Sequence, residues 1–191
     1  MKMESLNHNQ DRTLYEWIAL RCQSGERGAF EDLVAAMERP LLYYAASLTG
    51  NQDSGLDVLQ EVWIKAFRGI GKLKGPGALR SWLYSITHGI AVDRIRRNSS
   101  RERAESVDLE DFQEAEEPSF AAEDAAAIHQ ALGEIGLKHR EVLVLHFLDD
   151  LSIEEIAKVV GCSEGTVKSR MHHAKRAMKE ILSGGGYGTK K

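Results

Sequence analysis

The sequence is poor in the residues that would assign it to a secreted, barrel-forming or membrane class. It has two cysteines in 191 residues, Cys22 and Cys162, far apart and without metal-ligand spacing. A disulfide scaffold is therefore excluded, and each thiol is expected to be a small packing residue in a reduced compartment. Proline is limited to three residues and aromatics to 7%, and β-branched runs are few, which leans towards helix and away from a sandwich or barrel. No stretch approaches the roughly 18 consecutive apolar residues that a membrane span needs. Met1 to Asp11 is polar and lacks the apolar core of a secretory signal. These absences point to a cytoplasmic chain with a disordered N-terminus over 1–11. What is present is 42% hydrophobic and 28% charged residues, enough apolar material for one or two folded domains.

The net charge of −4 hides a partition. Residues 12–97 carry a net +3, residues 98–124 a net −8, and residues 125–191 a net +2. Two mildly basic blocks therefore flank one acidic strip, and the pI of about 6.0 does not argue against a nucleic-acid partner once it is taken block by block. The strip holds Asp108, Glu110, Asp111, Glu114, Glu116 and Glu117 without a sustained apolar period, so 98–124 is expected to be a flexible linker. A glycine-rich tail is expected over 183–191.

Apolar spacing predicts helices throughout. Leu14, Trp17, Ile18 and Cys22 mark one over roughly 12–24, ended by Gly25. Phe30 to Leu48 gives a second, which Pro40 is expected to break or restart. Asp53 is placed to cap a third, whose core face would hold Leu56, Leu59, Trp63, Ala66 and Phe67. A glycine-rich loop with Lys72 and Lys74 leads to a fourth, with Leu79, Trp82, Leu83, Ile86 and Ile90 inward and Arg80, Tyr84, Thr87, His88 and Ala91 outward. Gly89 in its middle marks a close approach or a bend. The C-terminal block repeats the pattern, and no segment reads as a strand. The expected fold is all-α, two small helical domains (12–97 and 125–182) on a tether.

The sharpest local signal lies between Leu151 and Ala177. Ser152-Ile153-Glu154-Glu155 is a capping box, in which hydroxyl and carboxylate satisfy each other's backbone donors. Gly161 stands where a tight turn needs positive φ, and Ser163 can cap the next helix. Val167, Met171, Ala174 and Met178 face inward, and the opposite face is basic, net +3 over 163–182. A helix-turn-helix with a basic second helix is what the DNA major groove accepts. In the N-terminal block, Asp57, Gln60, Glu61, Ile64, Lys65 and Arg68 form a stripe opposite the core, which a solvated face with a Glu61–Lys65 pair would also explain. Arg80, Tyr84 and His88 beside a lysine-bearing loop suit a single strand whose bases stack on rings.

Together these segments resemble the bacterial sigma factors, in their extracytoplasmic-function (group IV) class. Asp57-Val58-Leu59-Gln60-Glu61 through Phe67 is similar to the core-polymerase-binding helix. Leu79-Arg80-Ser81-Trp82-Leu83-Tyr84, ending Asp93-Arg94-Ile95-Arg96-Arg97, resembles the promoter-melting, −10-reading helix. Leu151 to Arg176, with Gly165-Thr166-Val167-Lys168-Ser169-Arg170, resembles the −35-reading unit. The resemblance implies a region 2 bundle and a region 4 helix-turn-helix. Asp57, Gln60, Glu61 and Ile64 would dock on the clamp helices of the largest polymerase subunit, and the second domain would meet the flap of the second largest. The loop from Lys74 to Leu79 would receive a flipped −10 base, and Arg80, Tyr84 and His88 would line the melted strand. Lys168, Ser169 and His172 would face −35 bases. Arg170, His173, Lys175 and Arg176, helped by Thr166, would hold phosphates. The resemblance also implies promoter DNA and an anti-sigma factor as partners, with no cofactor and no metal.

The chain departs from the family at His88-Gly89, where Arg-Asn is common, and at His173, where Arg is common. Residues 98–121 would span about 27 Å relaxed and about 80 Å drawn straight, against about 70 Å for two DNA turns. The free protein is therefore expected to be more compact than the bound one. A stand-alone helix-turn-helix regulator with an N-terminal sensing or dimerisation domain remains the alternative. An enzyme would have only His172-His173 or the Asp53, Asp57, Glu61 row to work with, neither with ligand spacing nor a partner nucleophile.

Overall fold

A computed structural model describes the backbone of residues 4–102 and 120–184, with side chains over 13–97 and 127–183. Among these residues there are eight α-helices and no strand. Helix α1 (Glu4–Gln23), α2 (Ala29–Thr49), α3 (Gln52–Gly69) and α4 (Leu79–Glu102) form the first module. Helix α5 (Phe120–Glu134), α6 (Leu137–Leu143), α7 (Ile153–Val160) and α8 (Glu164–Gly184) form the second. Two 3₁₀ turns, Ile70–Lys72 and Pro76–Ala78, join α3 to α4, and a π-helical turn, Val144–Leu148, follows α6.

In the first module α2 is central, packing on α1, α3 and α4. It runs unbroken through Pro40, contrary to the expected break. A proline inside a helix costs about 3 kcal/mol. Met37 and Leu41 flank it, both fully buried, and burial of each contributes about 1.5–3 kcal/mol, so packing wins over propensity. The cap of α3 is Asn51, whose side chain accepts from the Ser54 N–H at 2.8 Å, rather than Asp53, which sits in the first turn where the helix dipole favours an anion. The core stripe of α3 is Val58, Leu59, Val62 and Ala66, rotated from the expected one: Leu56 and Phe67 are exposed. Gly55 permits a close crossing of α2 and α3, since a Cβ there would lie 2.9 Å from the Ala46 backbone nitrogen.

Helices overrun the expected boundaries. Helix α1 starts at Glu4, within the stretch expected to be disordered, because residues 4–11 contain neither Gly nor Pro and elongation needs only one hydrogen bond per residue. Helix α4 continues to Glu102 and α5 begins at Phe120, so helix enters the expected linker from both sides. Its middle, 103–119, and the end of the tail, 185–191, lie outside the described residues.

In the second module α8 packs against α5, α6 and α7. Val167 and Ala174 are fully buried and Met171 nearly so. The capping box forms in both directions, Ser152 N–H to Glu155 at 2.9 Å and Glu155 N–H to the Ser152 hydroxyl at 3.2 Å. Gly161 ends α7 at φ 65°, the left-handed conformation the turn requires. The two modules also pack on each other, through α4 with α7 and α2 with α6.

Gly89 lies exposed in α4, and a Cβ there would meet nothing within 4 Å, so it marks no close approach. Gly89→Ala is therefore expected to raise stability by about 1 kcal/mol, read as a higher midpoint in urea unfolding; a lower midpoint would contradict the open surroundings.

Candidate nucleic-acid interface

Asp57, Gln60, Glu61 and Ile64 are spaced to share one side of α3, and all four are exposed. Ile64 leaves 53% of its surface in solvent and Phe67, one turn on, leaves 67%. Asp57 forms an ion pair with Arg94 of α4, which ties this face to the neighbouring helix. No Glu61–Lys65 pair forms among the described residues, so mutual charge pairing does not account for the stripe.

The two 3₁₀ turns fold the 69–78 loop over the start of α4 and leave a pocket of about 450 Å³. Its walls include Lys72, Lys74, Ser81, Trp82 and Ser85. Gln23 of α1 anchors the loop by donating to the Leu73 carbonyl at 2.8 Å. Gly69 lets the Trp82 ring lie against the backbone, where a Cβ would stand 2.9 Å from the ring. Lys74 is exposed at the rim as expected, but Leu79 is fully buried in the core and is not part of the pocket. Trp82, Ser81 and Ser85 were not expected here. Trp82 reads as a core residue by spacing, and only the folded-back loop turns its ring into a wall.

The largest departure concerns Arg80, Tyr84 and His88. Spacing puts them on the outward face of α4, yet Tyr84, Thr87 and Ala91 are completely buried, and Arg80 and His88 are half-buried. The second module covers them. Glu141 of α6, 4% exposed, accepts from the Tyr44 hydroxyl at 2.8 Å and from His88 Nδ1 at 2.5 Å. Arg80 donates to the Asp149 carbonyl and lies over the Tyr15 ring, 5.1 Å from its centroid. Tyr84 packs edge-on against Tyr44 with centroids 5.3 Å apart. Arg140 reaches across to the Ser47 carbonyl at 3.1 Å. The π-helical turn aims Asp149 at this contact, and the next residue, Asp150, adopts φ 49° to let the chain leave. A cavity of about 150 Å³ remains beside Arg80, Tyr84 and Asp149.

The outer face of α8 is open. Lys168, Ser169, His172, His173, Lys175 and Arg176 are exposed, and Arg170 is half-buried. Thr166 is tied into the cap, its hydroxyl 2.9 Å from that of Ser163. Lys168 lies 3.8 Å from Glu164, and Arg176 donates to Glu180 at 2.9 Å. His173 stacks on His139 of α6, which holds the ring at the edge of the basic face. Lys175 sits over the exposed Phe147 ring. Among the described residues no cluster of His, Cys, Asp or Glu is arranged to hold a metal ion, and no helix is long and apolar enough to cross a membrane.

Burial pushes the Asp149 carboxyl up to about 7, against the opposing pull of the Tyr84 hydroxyl and the Arg80 guanidinium. A carboxyl raised above its ordinary 3.8 favours the packed form most at low pH, and that contribution is lost as pH rises through about 7. Asp149→Asn removes this dependence. The melting temperature of the native protein, taken relative to the variant, is expected to fall between pH 5 and pH 8; a constant difference would contradict the raised carboxyl.

Comparison with known proteins matches residues 33–101 to the Sigma-70 region 2 family and residues 125–178 to the Sigma-70 region 4 family. The RNA polymerase sigma-H factor of Pseudomonas aeruginosa is 31% identical over 189 residues, covering 93% of this chain and 96% of that protein. The ECF RNA polymerase sigma factor SigM of Mycobacterium tuberculosis is 30% identical over 159 residues, covering 83% and 80%. Among solved structures, the sigma factor RpoE of Bartonella quintana, crystallised with the anti-sigma factor NepR, has a similar fold, with a TM-score of 0.72 at 24% identity over 82% of this chain and 98% of that one. The region 2 match thus takes in most of α2 with α3 and α4, the region 4 match takes in the helix-turn-helix, and the chain belongs to the extracytoplasmic-function RNA polymerase sigma factors, which direct RNA polymerase to promoters for specific initiation.

Proposed function

We propose that the exposed stripe of α3 is the surface by which this sigma factor holds core RNA polymerase. Asp57, Gln60 and Glu61 supply polar contacts to the clamp helices of the largest subunit, and Ile64 supplies apolar area at their centre. The observation that carries this reading is the exposed apolar pair Ile64 and Phe67, one turn apart on α3 and next to the unburied Asp57, Gln60 and Glu61. The second module meets the flap of the second-largest subunit.

The pocket under the 69–78 loop takes a base flipped out of the −10 element, with Trp82 as a flat wall and Lys72 and Lys74 near the strand's phosphates. Arg80, Tyr84 and His88 line the melted strand once the second module has left them. Lys168, Ser169 and His172 face −35 bases, while Arg170, His173, Lys175 and Arg176 hold phosphates and Thr166 stiffens the start of α8. The domains are 12–97 and 125–182, and 98–124 serves as the tether between promoter elements. The protein works in the cytoplasm, where the polymerase is, and makes no covalent change to its partners. An anti-sigma factor restrains it; the similarly folded RpoE of Bartonella quintana forms a complex with one, NepR.

Two experiments test the reading. Glu61→Ala with Asp57→Ala is expected to abolish co-elution with purified core polymerase while helix content by circular dichroism is unchanged; retained co-elution would remove α3 as the docking face. Lys168→Ala is expected to weaken −35 recognition by about 1–3 kcal/mol if the lysine reads a base. Run-off transcription from a promoter library checks it, and an unchanged promoter preference would exclude the role.

A further inference from the structure

The pocket under the 69–78 loop has one wall set by the core and one that is not. On the α4 side, Trp82 lies against the Gly69 backbone, and Ser81 and Ser85 sit on the helix itself. The opposite wall is Lys72, Leu73 and Lys74, which belong to irregular chain. Each 3₁₀ turn closes a backbone hydrogen bond of its own, Leu73 N–H to the Ile70 carbonyl and Ala78 N–H to the Gly75 carbonyl, both at 3.1 Å. Bonds inside a turn fix its shape but not its distance from α4. Leu73 packs partly on the core, which holds the turn down without orienting it. The directional tie comes from α1. The Gln23 amide donates to the Leu73 carbonyl at 2.8 Å and reaches the Ile70 carbonyl at 3.5 Å.

We propose that Gln23 is a positioning residue for base capture: its amide sets the distance of the Leu73 wall from Trp82 and thereby which base the pocket accepts. The inference rests on the reading of this pocket as the site of a flipped −10 base and adds the residue that shapes it.

Three observations carry it. The first is that α1 has no other use for this side chain. Its last carbonyls, on Leu20, Arg21 and Cys22, are met by the N–H groups of Ser24, Glu26 and Gly25, and Arg21 ties it to Glu26 and to Asp32 of α2 at 2.6 Å each. A glutamine held in one rotamer loses much side-chain entropy, and the partner it is held for is a loop carbonyl 50 residues along the chain. The second is the place of the bond. Leu73 directly precedes Lys74, the exposed lysine at the rim, so a shift of this carbonyl changes both the width of the slot and where Lys74 meets the strand. The third is the freedom of the chain around it. A Cβ at Gly71 or at Gly75 would meet nothing within 4 Å, so no neighbour on that side of the backbone limits the swing of the loop to either side of Leu73. A pocket whose walls are already in place loses no binding energy to ordering them, which matters for a base whose extrusion has itself to be offset.

Two variants of the full chain, assembled with core polymerase, test the proposal. Gln23→Glu keeps the length of the side chain and removes its donors. Gln23→Leu removes them without adding charge, so an effect common to both is the loss of the bond. Run-off transcription from a library with the −10 element randomised and the −35 element fixed is read through a barcode in each transcript. Trp82→Leu and Lys74→Ala first locate the −10 position that the pocket reads; the second residue is exposed and carries this step if the first variant loses helix content by circular dichroism. At that position both Gln23 variants are expected to lose about fivefold of the native preference, the weight of one neutral hydrogen bond, while the other −10 positions keep theirs. Native preference at the located position in both Gln23 variants overturns the proposal. A loss in Gln23→Glu alone also overturns it, since the added charge is then the cause, as does a loss spread evenly over all −10 positions, which general loosening of the fold would give. If neither Trp82→Leu nor Lys74→Ala alters any position, the pocket does not take a base, and that reading falls together with the inference.

Discussion

A carboxylate taken out of water must find donors, and this requirement organises the contact between the two modules. Glu141 finds them in Tyr44 of α2 and His88 of α4, so one side chain draws together three helices from the two modules. The Asp149 turn adds a second point, where Arg80 is held by a main-chain carbonyl rather than by the carboxylate. The surrounding apolar packing is continuous from Tyr44 and Leu83 to Leu145 and Ile156 and supplies most of the burial. Burial alone is not directional, however. The polar groups determine which face of α4 the second module covers, and that face carries the residues whose chemistry suits a nucleic-acid strand.

The other two surfaces follow from simpler local rules. A capping box, a left-handed glycine and a serine cap set α7 and α8 at a fixed turn, and buried Val167 and Ala174 leave the cationic side of α8 outward. On α3, the burial of Val58, Leu59, Val62 and Ala66 forces Asp57, Gln60, Glu61 and Ile64 to the opposite side. Each surface is the geometric remainder of a helix that has satisfied its core.

That difference explains what could be seen in advance. The helix-turn-helix was legible because its signals are local: Ser152, Glu155, Gly161 and Ser163 act within one or two turns of chain. The stripe on α3 was legible by periodicity, although its core side was rotated by one position: Leu56 lies in the first turn and stays exposed, and Phe67 touches α2 only edge-on, through Phe30. The environment of Arg80, Tyr84 and His88 was not legible. Helical spacing separates inward from outward within one module; what covers Arg80 and His88 comes from positions 53 to 69 residues away in sequence. The pocket by Trp82 was hidden for a related reason, since a loop of irregular turns has no period to read. Pro40 misled because a propensity of a few kcal/mol yields to the packing of a central helix.

The ion pairs along α8 bear on how the protein responds to ionic strength. Lys168 and Arg176 already have carboxylate neighbours one turn away, in Glu164 and Glu180. On the proposed reading, Arg176 turning to a phosphate, like Lys168 turning to a base, gives up its carboxylate partner, and the abandoned glutamate gathers small ions from solution. Counterions released from the duplex are then partly recaptured by the protein. On that reading the helix is a polyelectrolyte ligand of lower effective valence than its basic residues suggest, which makes its grip less steeply dependent on salt and leaves a larger share of discrimination to base contacts.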